Sequence, residues 1–476
     1  MMEYSELIYI LSPIILVFTS LFVLMIDFFT SKKSIILISA LTGLVISAMV
    51  SILQFISFEA NQSIFFDTLV FDKFYLFSAI SLILITSAIL LAFYDYIVNQ
   101  ISFRSEFISL LLLSLVGSLF VIMATDFITI YLSLELSSLP IIALIAFGRG
   151  KFSLEAAFKY LILASFSTGI FLTGVVYIYG VTGSLSLNNI ILSEINPAVI
   201  LGLVFLFIGL AFKLSIAPWH MWTPDTYQGS PMPIVTYLST GSKVAGFALS
   251  IRIFSEIFSS NISFTNLIIF LSIISFASMT VGNLGAILQK DLKRLFAYST
   301  VAHAGYMLVG IIALISTKSS GSTTLFYVVG YAATNLSVFL SLQHIINLSK
   351  STSIESLNGL FKSHPLVSII FAFGILSLLG IPATVGFMGK VLVFSAAVNN
   401  GLIILAIAGV INSFSSAYYY LGLLRNIFVS SEKFVQKGNS NNTYTLVAFI
   451  STILVLVLGV YPDLILSSID NVIAGL

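Results

Sequence analysis

Five ionisable side chains lie inside long apolar stretches of the sequence, where a charge is costly: Glu135, Lys159, Lys213, Lys243 and Lys390. An ionised group at the centre of a membrane helix costs at least about 2.5–3.5 kcal/mol on insertion scales, so such a group indicates a functional role. Burial disfavours the ammonium form of lysine and a neighbouring carboxylate favours it, so a set of Glu and Lys side chains can pass a proton from one group to the next. These residues therefore predict a proton path.

The alternative to a proton path is snorkelling or static ion pairing within a helical bundle. Lys159 fits this alternative equally well, because Glu155 lies four residues earlier and the two side chains could pair on a helix surface. Glu135 lies near the middle of its apolar stretch, too deep to snorkel. Lys213, Lys243 and Lys390 are also placed within apolar segments, and for them the path is the favoured interpretation.

Two of the four histidines are candidates for relaying protons between the lysines. His220 follows Pro218, and His303 lies in the middle of an apolar stretch. Histidine titrates near neutrality, which suits a relay, although a hydrogen-bonded core histidine is an equal alternative at both positions. His344 and His364 lie near basic loops and receive no role. No two histidines have the spacing of metal ligands and there is no cysteine, so no metal site is expected.

The composition determines which elements must carry these residues. The chain has 476 residues, of which 58% are hydrophobic and 8% charged, with a mean hydropathy of +1.11. Soluble domains carry about 25% charged residues, so a soluble globular protein is excluded and membrane lipids must be the main solvent. The net charge of +1 and the lack of a long basic run exclude nucleic acid as a partner. The absence of cysteine excludes disulfides and Fe–S clusters in this chain.

Apolar runs predict an all-α integral membrane protein, because they lack the alternation of membrane strands. Residues 1–476 then form a single polytopic domain of about fourteen helices. The expected spans are near 7–29, 35–56, 74–94, 107–123, 127–147, 155–181, 198–217, 229–256, 264–288, 294–316, 322–347, 363–395, 401–428 and 443–467.

The positions of the basic residues test this count of spans. Loops after odd-numbered spans contain thirteen Lys and Arg residues, and loops after even-numbered spans with their edges contain only three, which are Lys73, Arg252 and Lys318. The positive-inside rule then places both termini on the outer face of the membrane. Because the start of the chain is acidic at Glu3 and Glu6, it does not match a cleaved signal, and the first span is expected to be retained.

Prolines and glycines predict breaks in two of the spans. Pro218 interrupts the seventh span, and Pro382 with its neighbouring glycines interrupts the twelfth, each beside a lysine. Broken helices in corresponding positions indicate inverted repeats around a transport path. We expect two five-helix repeats, spans four to eight (107–256) and nine to thirteen (264–428). The alternative is that the prolines kink the helices for packing alone.

Three motifs resemble the antiporter-like membrane subunits of respiratory complex I, and the fourteen-span length with a lysine rather than a glutamate at position 390 most resembles the N subunit. They are FKLSIAPWHMWTPDTYQGSPMP at 212–233, KRLFAYSTVAHAGY at 293–306 and LGIPATVGFMGK at 379–390. The resemblance implies two inverted five-helix repeats with broken seventh and twelfth helices. It also implies a central hydrophilic axis made by Glu135, Lys213, Lys243 and Lys390, with Lys159, His220 and His303 at further polar positions of that axis.

The resemblance also implies a function and partners. The expected function is proton translocation coupled to quinone reduction in partner subunits, which would hold the flavin, the Fe–S clusters and the quinone, while this chain holds no cofactor. The expected partners are the M- and L-type antiporter-like subunits and the K, J, A and H types. The alternative is a subunit of a multisubunit cation/proton antiporter or of a membrane-bound hydrogenase. A stand-alone solute transporter should show ligand-shaped polar clusters and longer gating loops, and the sequence shows neither. A purely structural scaffold has no need of five deep charges. The expected location is a prokaryotic plasma membrane, with the mitochondrial inner membrane as the alternative.

Overall fold

The computed structural model describes residues 4–30, 32–187, 190, 196–258, 265–317, 320–432, 434–439 and 441–476. Glu3, Lys318 and Lys433, which is one of the thirteen basic residues expected in loops after odd-numbered spans, lie outside the described residues.

Nearly all of the described chain is helical, as the sequence predicts. The first half contains α1 (Leu11–Phe29), α2 (Lys33–Ile56), α3 (Lys73–Ala92), α4 (Tyr94–Gln100), α5 (Arg104–Met123), α6 (Phe127–Ala146), α7 (Lys151–Thr182), α8 (Pro197–Leu214), α9 (Trp222–Gly229), α10 (Met232–Ser239) and α11 (Gly241–Ile257). The second half contains α12 (Thr265–Ile287), α13 (Leu292–Ser316), α14 (Ser320–Ser349), α15 (Leu360–Ser363), α16 (Pro365–Leu379), α17 (Val385–Asn399), α18 (Ile403–Phe428), α19 (Asn442–Val460) and α20 (Asp463–Ala474). Short 3-10 helices lie at Tyr4–Ile8 and Ile354–Leu357, and an antiparallel hairpin pairs β1 (Gln62–Ile64) with β2 (Leu69–Phe71).

These helices account for the fourteen expected spans. Among the described residues, 13 helical stretches are long and apolar enough to cross a membrane, with α10 and α11 counted as one. The shorter apolar helices α16 and α17 together occupy the place of the remaining span. The all-α membrane class is therefore confirmed, and the division into two inverted repeats stays a prediction.

Loops after odd-numbered spans contact one another at one end of the bundle. Ser153 Oγ donates a hydrogen bond to the Gly229 carbonyl at 2.6 Å, and Lys293 Nζ donates to the Ser230 carbonyl at 3.0 Å. We call this end the basic face. Its described cations are Lys32, Lys33, Arg104, Arg149, Lys151, Lys290, Lys293, Arg294, Lys350, Lys362, Arg425 and Lys437.

The first and last parts of the described chain lie at the opposite end of the bundle. Gln54 Nε2, near the end of α2, donates to the Ile8 carbonyl at 2.7 Å. Asn61 Nδ2, in the loop after α2, donates to the Gly475 carbonyl at 2.9 Å. An even number of crossings produces this arrangement.

Several expected boundaries were wrong. The loop expected after the seventh span contains α9, and the eighth span is interrupted at Thr240 between α10 and α11. The last span ends at Val460 rather than near 467, and α20 follows as a separate helix. Hydrophobic periodicity did not predict α9 because its sequence, WTPDTYQG, is polar although neighbouring helices bury it.

The polar side chains concentrate in helices at the centre of the bundle. Helices α11, α13 and α14 are buried along nearly their whole length. Peripheral helices such as α1, α2 and α18 instead expose large apolar side chains, including Phe28, Met49 and Phe414. Because lipid solvates that outer surface, the only groups that can satisfy polar atoms at the centre are other protein groups and water.

A buried ion pair and a hydrogen bond to the backbone link α3, α5 and α11. Arg252 of α11 binds Asp72 through two hydrogen bonds of 2.9 and 3.0 Å, and its Nε donates to the Ile122 carbonyl at 2.5 Å. Asp72 also caps the first turn of α3 by accepting from the Tyr75 amide at 2.7 Å. The sequence predicts Arg252 at the edge of its span, and the residue lies five residues before the end of α11, where its side chain is only 1% exposed. The pair could not be predicted from the sequence because Asp72 is 180 residues away in the chain.

We predict that Arg252→Met destabilises the protein by about 3–5 kcal/mol, because it leaves the Asp72 carboxylate buried without its cation. The double variant Arg252→Met with Asp72→Asn should be less destabilised, since asparagine still caps the helix and no buried charge remains. Thermal unfolding of the purified assembly in detergent measures both effects. Equal loss in the single and double variants would contradict the ion-pair account.

Candidate functional site: the buried lysines

The seventh span breaks immediately after Lys213. Helix α8 ends at Leu214, Ser215 adopts a left-handed conformation with φ of 59°, and α9 begins at Trp222. Pro218 lies between the two helices, where its missing amide proton prevents the α-helix from continuing. The break leaves the last carbonyl groups of α8 without intrahelical partners inside the bundle.

Lys213 reaches from this helix end to α6. Its Nζ donates hydrogen bonds to Ser137 Oγ at 2.8 Å and Ser138 Oγ at 3.0 Å. Both acceptors are neutral hydroxyl groups. The lysine side chain is therefore satisfied by hydrogen bonds that do not fix its charge.

Glu135 lies beside Lys213 but does not form an ion pair with it. Its Oε1 instead accepts a hydrogen bond from Thr168 Oγ1 at 2.8 Å. Glu135, Ser138, Thr168 and Lys213 all line one cavity of about 30 Å³. A cavity of this volume has room for a water molecule, which needs about 10–15 Å³. The geometry thus supports a water-bridged pair of Glu135 and Lys213.

Lys243 lies in the first turn of α11 and points at the break after α8. Its Nζ donates to Ser215 Oγ at 2.5 Å and approaches the backbone carbonyl of Lys213 at 3.4 Å. It also lies 5.8 Å from the centre of the Trp222 ring. The free carbonyl groups at a helix C-terminus carry partial negative charge, so they favour a nearby ammonium. The structure therefore brings Lys213 and Lys243 together.

Lys390 occupies a matching position at the break in the twelfth span. Helix α16 ends at Leu379, Gly380 follows it with φ of 91°, and α17 begins at Val385. Pro382 lies between the two helices.

The Nζ atom of Lys390 caps the carbonyl end of α16. It donates to the carbonyls of Leu378 and Leu379 and to Ser413 Oγ, each at 2.9 Å. It also lies 5.0 Å from the centre of the Tyr306 ring. Each break therefore places an ammonium group at the carbonyl end of a half-helix.

The three central lysines share two properties. Lys213, Lys243 and Lys390 are 8%, 1% and 5% exposed, so all three are removed from bulk water. Among the described residues no ion pair joins any of them to a carboxylate. A lysine that is not bound to a carboxylate is not locked in its charged form, so these groups are suited to exchanging a proton.

His303 lies between the two breaks, surrounded by tyrosines. Its Nδ1 shares a hydrogen bond of 2.8 Å with the Tyr327 hydroxyl, and its Nε2 shares one of 3.4 Å with the Tyr420 hydroxyl. The Tyr306 ring lies 5.6 Å from the His303 ring and also contacts Lys390. The sequence predicted His303 as a relay residue but did not predict the tyrosines around it. These tyrosines could have been recognised from the sequence only as hydroxyl-bearing residues in otherwise apolar spans.

Side chains of α13 and α14 extend this polar group towards Lys243. Tyr331 donates to Thr300 Oγ1 at 3.0 Å, and its ring lies 5.1 Å from the His303 ring. Asn335, one turn further along α14, donates to the Ser239 carbonyl at 3.3 Å. Ser239 is four residues before Lys243. Polar groups therefore occupy the region between Lys243 and Lys390.

Lys159 lies apart from the central lysines, near the basic face. It pairs with Glu155 at 2.8 Å and with Asp225 at 2.7 Å, and its side chain is 43% exposed. Asp225 also binds Arg294 at 2.7 Å. The surroundings match the surface pair that the sequence left open as the alternative.

His220 lies in the break after α8. Its Nδ1 is buried without a hydrogen-bond partner in the described part of the chain, and its ring lies 6.1 Å from the Tyr298 ring. A buried nitrogen of this kind is usually satisfied by water. His220 therefore lies in the first break, and no hydrogen bond joins it to a central lysine among the described residues.

Comparison with known proteins agrees with this geometry. The sequence model of the family described as NADH:quinone oxidoreductase/Mrp antiporter, membrane part, matches residues 124–416. The chain belongs to this family. The match includes Glu135, all three central lysines and His303.

Relatives and solved structures resemble the chain over nearly its full length. NADH-quinone oxidoreductase subunit N of Dehalococcoides mccartyi is 33% identical, with 96% of this chain and 97% of the relative covered. A chain of respiratory complex I from Thermus thermophilus, solved with bound aureothin, is 30% identical with a TM-score of 0.82 and covers 96% of this chain and 99% of its own length. A chain of the Mrp complex from Dietzia is 19% identical with a TM-score of 0.85, covers 100% of this chain and 98% of its own length, and shows a shared fold.

The close approach of α16 and α17 at the second break gives a test of the site. A Cβ atom on Gly386 would lie 1.9 Å from the Ser377 carbonyl oxygen, so Gly386→Ala must push the two half-helices apart. We predict a destabilisation of about 1–3 kcal/mol or more and less of the chain in the assembled complex, measured by native gel electrophoresis.

Gly422→Ala is the matched control, because a Cβ atom on Gly422 meets nothing within 4 Å. Equal assembly of both alanine variants would show that the tight contact at the break is not required.

Proposed function

We propose that this chain is the proton-translocating, antiporter-like subunit of a respiratory complex I, and that it performs no redox chemistry itself. One observation carries the proposal: three lysines are buried at or beside two broken helices, with neutral hydrogen-bond acceptors and no bound carboxylate. The similarity to a subunit N and to a chain of respiratory complex I, each over nearly its full length, supports the complex to which the chain is assigned.

The first step of the mechanism is a change in the distance between Glu135 and Lys213. When the carboxylate and the ammonium approach through the cavity that they share, the proton on Lys213 is held. When they separate, the buried ammonium loses its stabilising charge and releases its proton towards Lys243. Ser215 and the carbonyl end of α8 already orient Lys243 towards the break.

The second step carries the proton across the centre of the bundle to Lys390. The side chains of Asn335, Tyr331 and His303, with Tyr327 and Tyr420, offer hydrogen-bonding groups between the two lysines. Water would complete the links that these side chains do not make directly. We also assign His220, in the first break, and Lys159, near the basic face, as relay groups; the exposed pairing of Lys159 with Glu155 and Asp225 would place it at the entrance of the path.

The energy required is modest. Moving one charge against 100 mV costs about 2.3 kcal/mol, and one pKa unit corresponds to about 1.4 kcal/mol. A swing of about two pKa units at a lysine therefore meets the requirement. Opening and closing a buried charge contact is large enough to produce such a swing.

The remaining assignments follow from the same proposal. Partner subunits would hold the flavin, the Fe–S clusters and the quinone, and their reaction would drive the change at Glu135. The partners are the M- and L-type, K, J, A and H types of membrane subunit, with lipid around the rest of the bundle. We assign the basic face to the inside of a prokaryotic plasma membrane and both termini to the outside. We also assign 107–256 and 264–428 to two inverted repeats.

A multisubunit cation/proton antiporter is the alternative, because the chain shares its fold with the Mrp complex. The two functions differ in their need for sodium. If the proposal is right, replacing sodium by choline leaves quinone-driven proton uptake of the reconstituted assembly unchanged. Proton movement that needs a sodium gradient and no quinone would support the antiporter.

We predict that Lys213→Ala slows proton pumping by about tenfold or more, since each 1.4 kcal/mol added to the barrier is a factor of ten. Glu135→Gln should slow it by a smaller factor, because Ser137 and Ser138 still hold the lysine. Pumping is measured with the assembled complex in sealed vesicles, and its presence in the membrane is measured in parallel.

Glu355→Gln is the matched control, because Glu355 is an exposed carboxylate near the basic face. The assignment fails if Lys213→Ala and Glu135→Gln both pump at the rate of this control.

A further inference from the structure

A line of polar side chains follows one face of α14 and is not used by the path described above. It consists of Thr334, Ser337, Ser341 and His344, spaced by three, four and three residues. Residues at this spacing share one face of a helix. All four side chains are buried, with at most 5% exposed. We call them, with the partners named below, the α14 seam.

One end of the α14 seam, at His344, lies near the basic face. His344 is five residues before the end of α14, and its Nδ1 shares a hydrogen bond of 3.0 Å with Thr445 Oγ1 of α19. Gln343 donates to Asn347 at 2.8 Å, which continues the polar groups towards the helix end. A titratable group therefore stands where the seam meets the loops.

The middle of the seam joins α14 to α19. Ser337 Oγ and Thr452 Oγ1 share a hydrogen bond of 2.7 Å. Ser341 Oγ is buried and has no hydrogen-bond partner in the described part of the chain. Buried hydroxyl groups of this kind are usually satisfied by an ordered water. Neighbouring positions on the face are about 5–6 Å apart, a distance that one bridging water spans.

The other end of the α14 seam, at Thr334, reaches the second helix break. Thr334 Oγ1 shares a hydrogen bond of 2.9 Å with Ser377 Oγ, which also accepts from the Gly386 amide at 3.2 Å. Ser377 directly precedes Leu378 and Leu379, whose carbonyls accept from Lys390. The seam thus ends one residue from the group that Lys390 contacts.

The length of the seam matches half of a membrane. From His344 to Thr334 is ten residues, or about 15 Å along the helix. The hydrocarbon core of a bilayer is about 30 Å thick. The seam therefore covers the distance between one membrane surface and the level of the break.

We propose that the α14 seam conducts protons between the basic face and Lys390, with His344 as the group that exchanges protons with solvent. This rests on the proposed function but adds a branch separate from Glu135, Lys213 and Lys243. Each hydroxyl or water accepts a proton from one neighbour and donates its own to the next, so no group is consumed. The competing explanation is that these hydroxyl pairs only hold helices together.

Single cysteines distinguish a hydrated seam from a dry one, because the natural chain has no cysteine. Hydrogen peroxide, a reagent close to water in size, oxidises the ionised thiol, and ionisation requires water. In vesicles whose basic face is outward, Ser341→Cys in the assembled complex should be oxidised at least about tenfold faster than Ser109→Cys, identified by peptide mass.

Ser109 is a suitable control because it is buried in a hydroxyl pair with Ser20 at 2.6 Å. It lies five residues from the end of α5 at the basic face, which is shallower than Ser341, eight residues from the end of α14. If Ser341→Cys reacts no faster than Ser109→Cys, the seam is dry and the proposal is wrong.

Proton pumping gives a second test that does not depend on the cysteine variant folding. Ser337→Ala with Thr452→Val should slow pumping by about tenfold, the factor for one hydrogen bond of about 1.4 kcal/mol lost at the barrier. Ser20→Ala with Ser109→Ala removes a comparable hydroxyl pair and should leave pumping unchanged.

The results separate the two proposals. If Lys213→Ala abolishes pumping while the Ser337 and Thr452 double variant pumps like the Ser20 and Ser109 control, the seam is overturned and the central path stands. If Lys213→Ala itself pumps normally, both proposals fall. If the Ser337 and Thr452 double variant loses pumping and the Ser20 and Ser109 double variant does not, the result supports the branch.

Discussion

The structure depends on placing ammonium groups in an apolar bundle without neutralising them permanently. An isolated buried charge is very costly, and a lysine locked to a carboxylate would keep its proton. The broken helices provide an intermediate solution. Their free carbonyl ends carry partial charge and accept hydrogen bonds, so Lys243 faces the end of α8 and Lys390 caps the end of α16. Either protonation state is tolerable in such surroundings.

The Asp72–Arg252 pair shows the opposite arrangement in the same protein. There a guanidinium is held by two hydrogen bonds to a full carboxylate, and both side chains are buried. Arginine does not lose its proton, so this contact is static and joins α3 to α11. The contrast between a paired arginine and unpaired lysines separates the rigid frame from the groups that can titrate.

Much of this architecture could be predicted from the sequence because a chain that crosses a bilayer must form helices or a closed barrel. Long apolar runs predicted fourteen crossings, and Pro218 and Pro382 marked two positions where helices end. The buried lysines were conspicuous since charge is rare in such runs. The sequence could not predict contacts between distant segments. The water-sized gap between Glu135 and Lys213, the tyrosines around His303 and the burial of Arg252 all depend on how separate helices pack.

The central claim is that water and polar side chains join the buried charges into one line. A density map of the native assembly in a lipid nanodisc, at a resolution that shows ordered water, tests it directly. We predict a water bridging Glu135 and Lys213 in the cavity that they line, and further waters among the polar side chains from Lys243 through His303 to Lys390. A dry cavity at Glu135, or apolar side chains or lipid separating Lys243 from His303, would contradict the account.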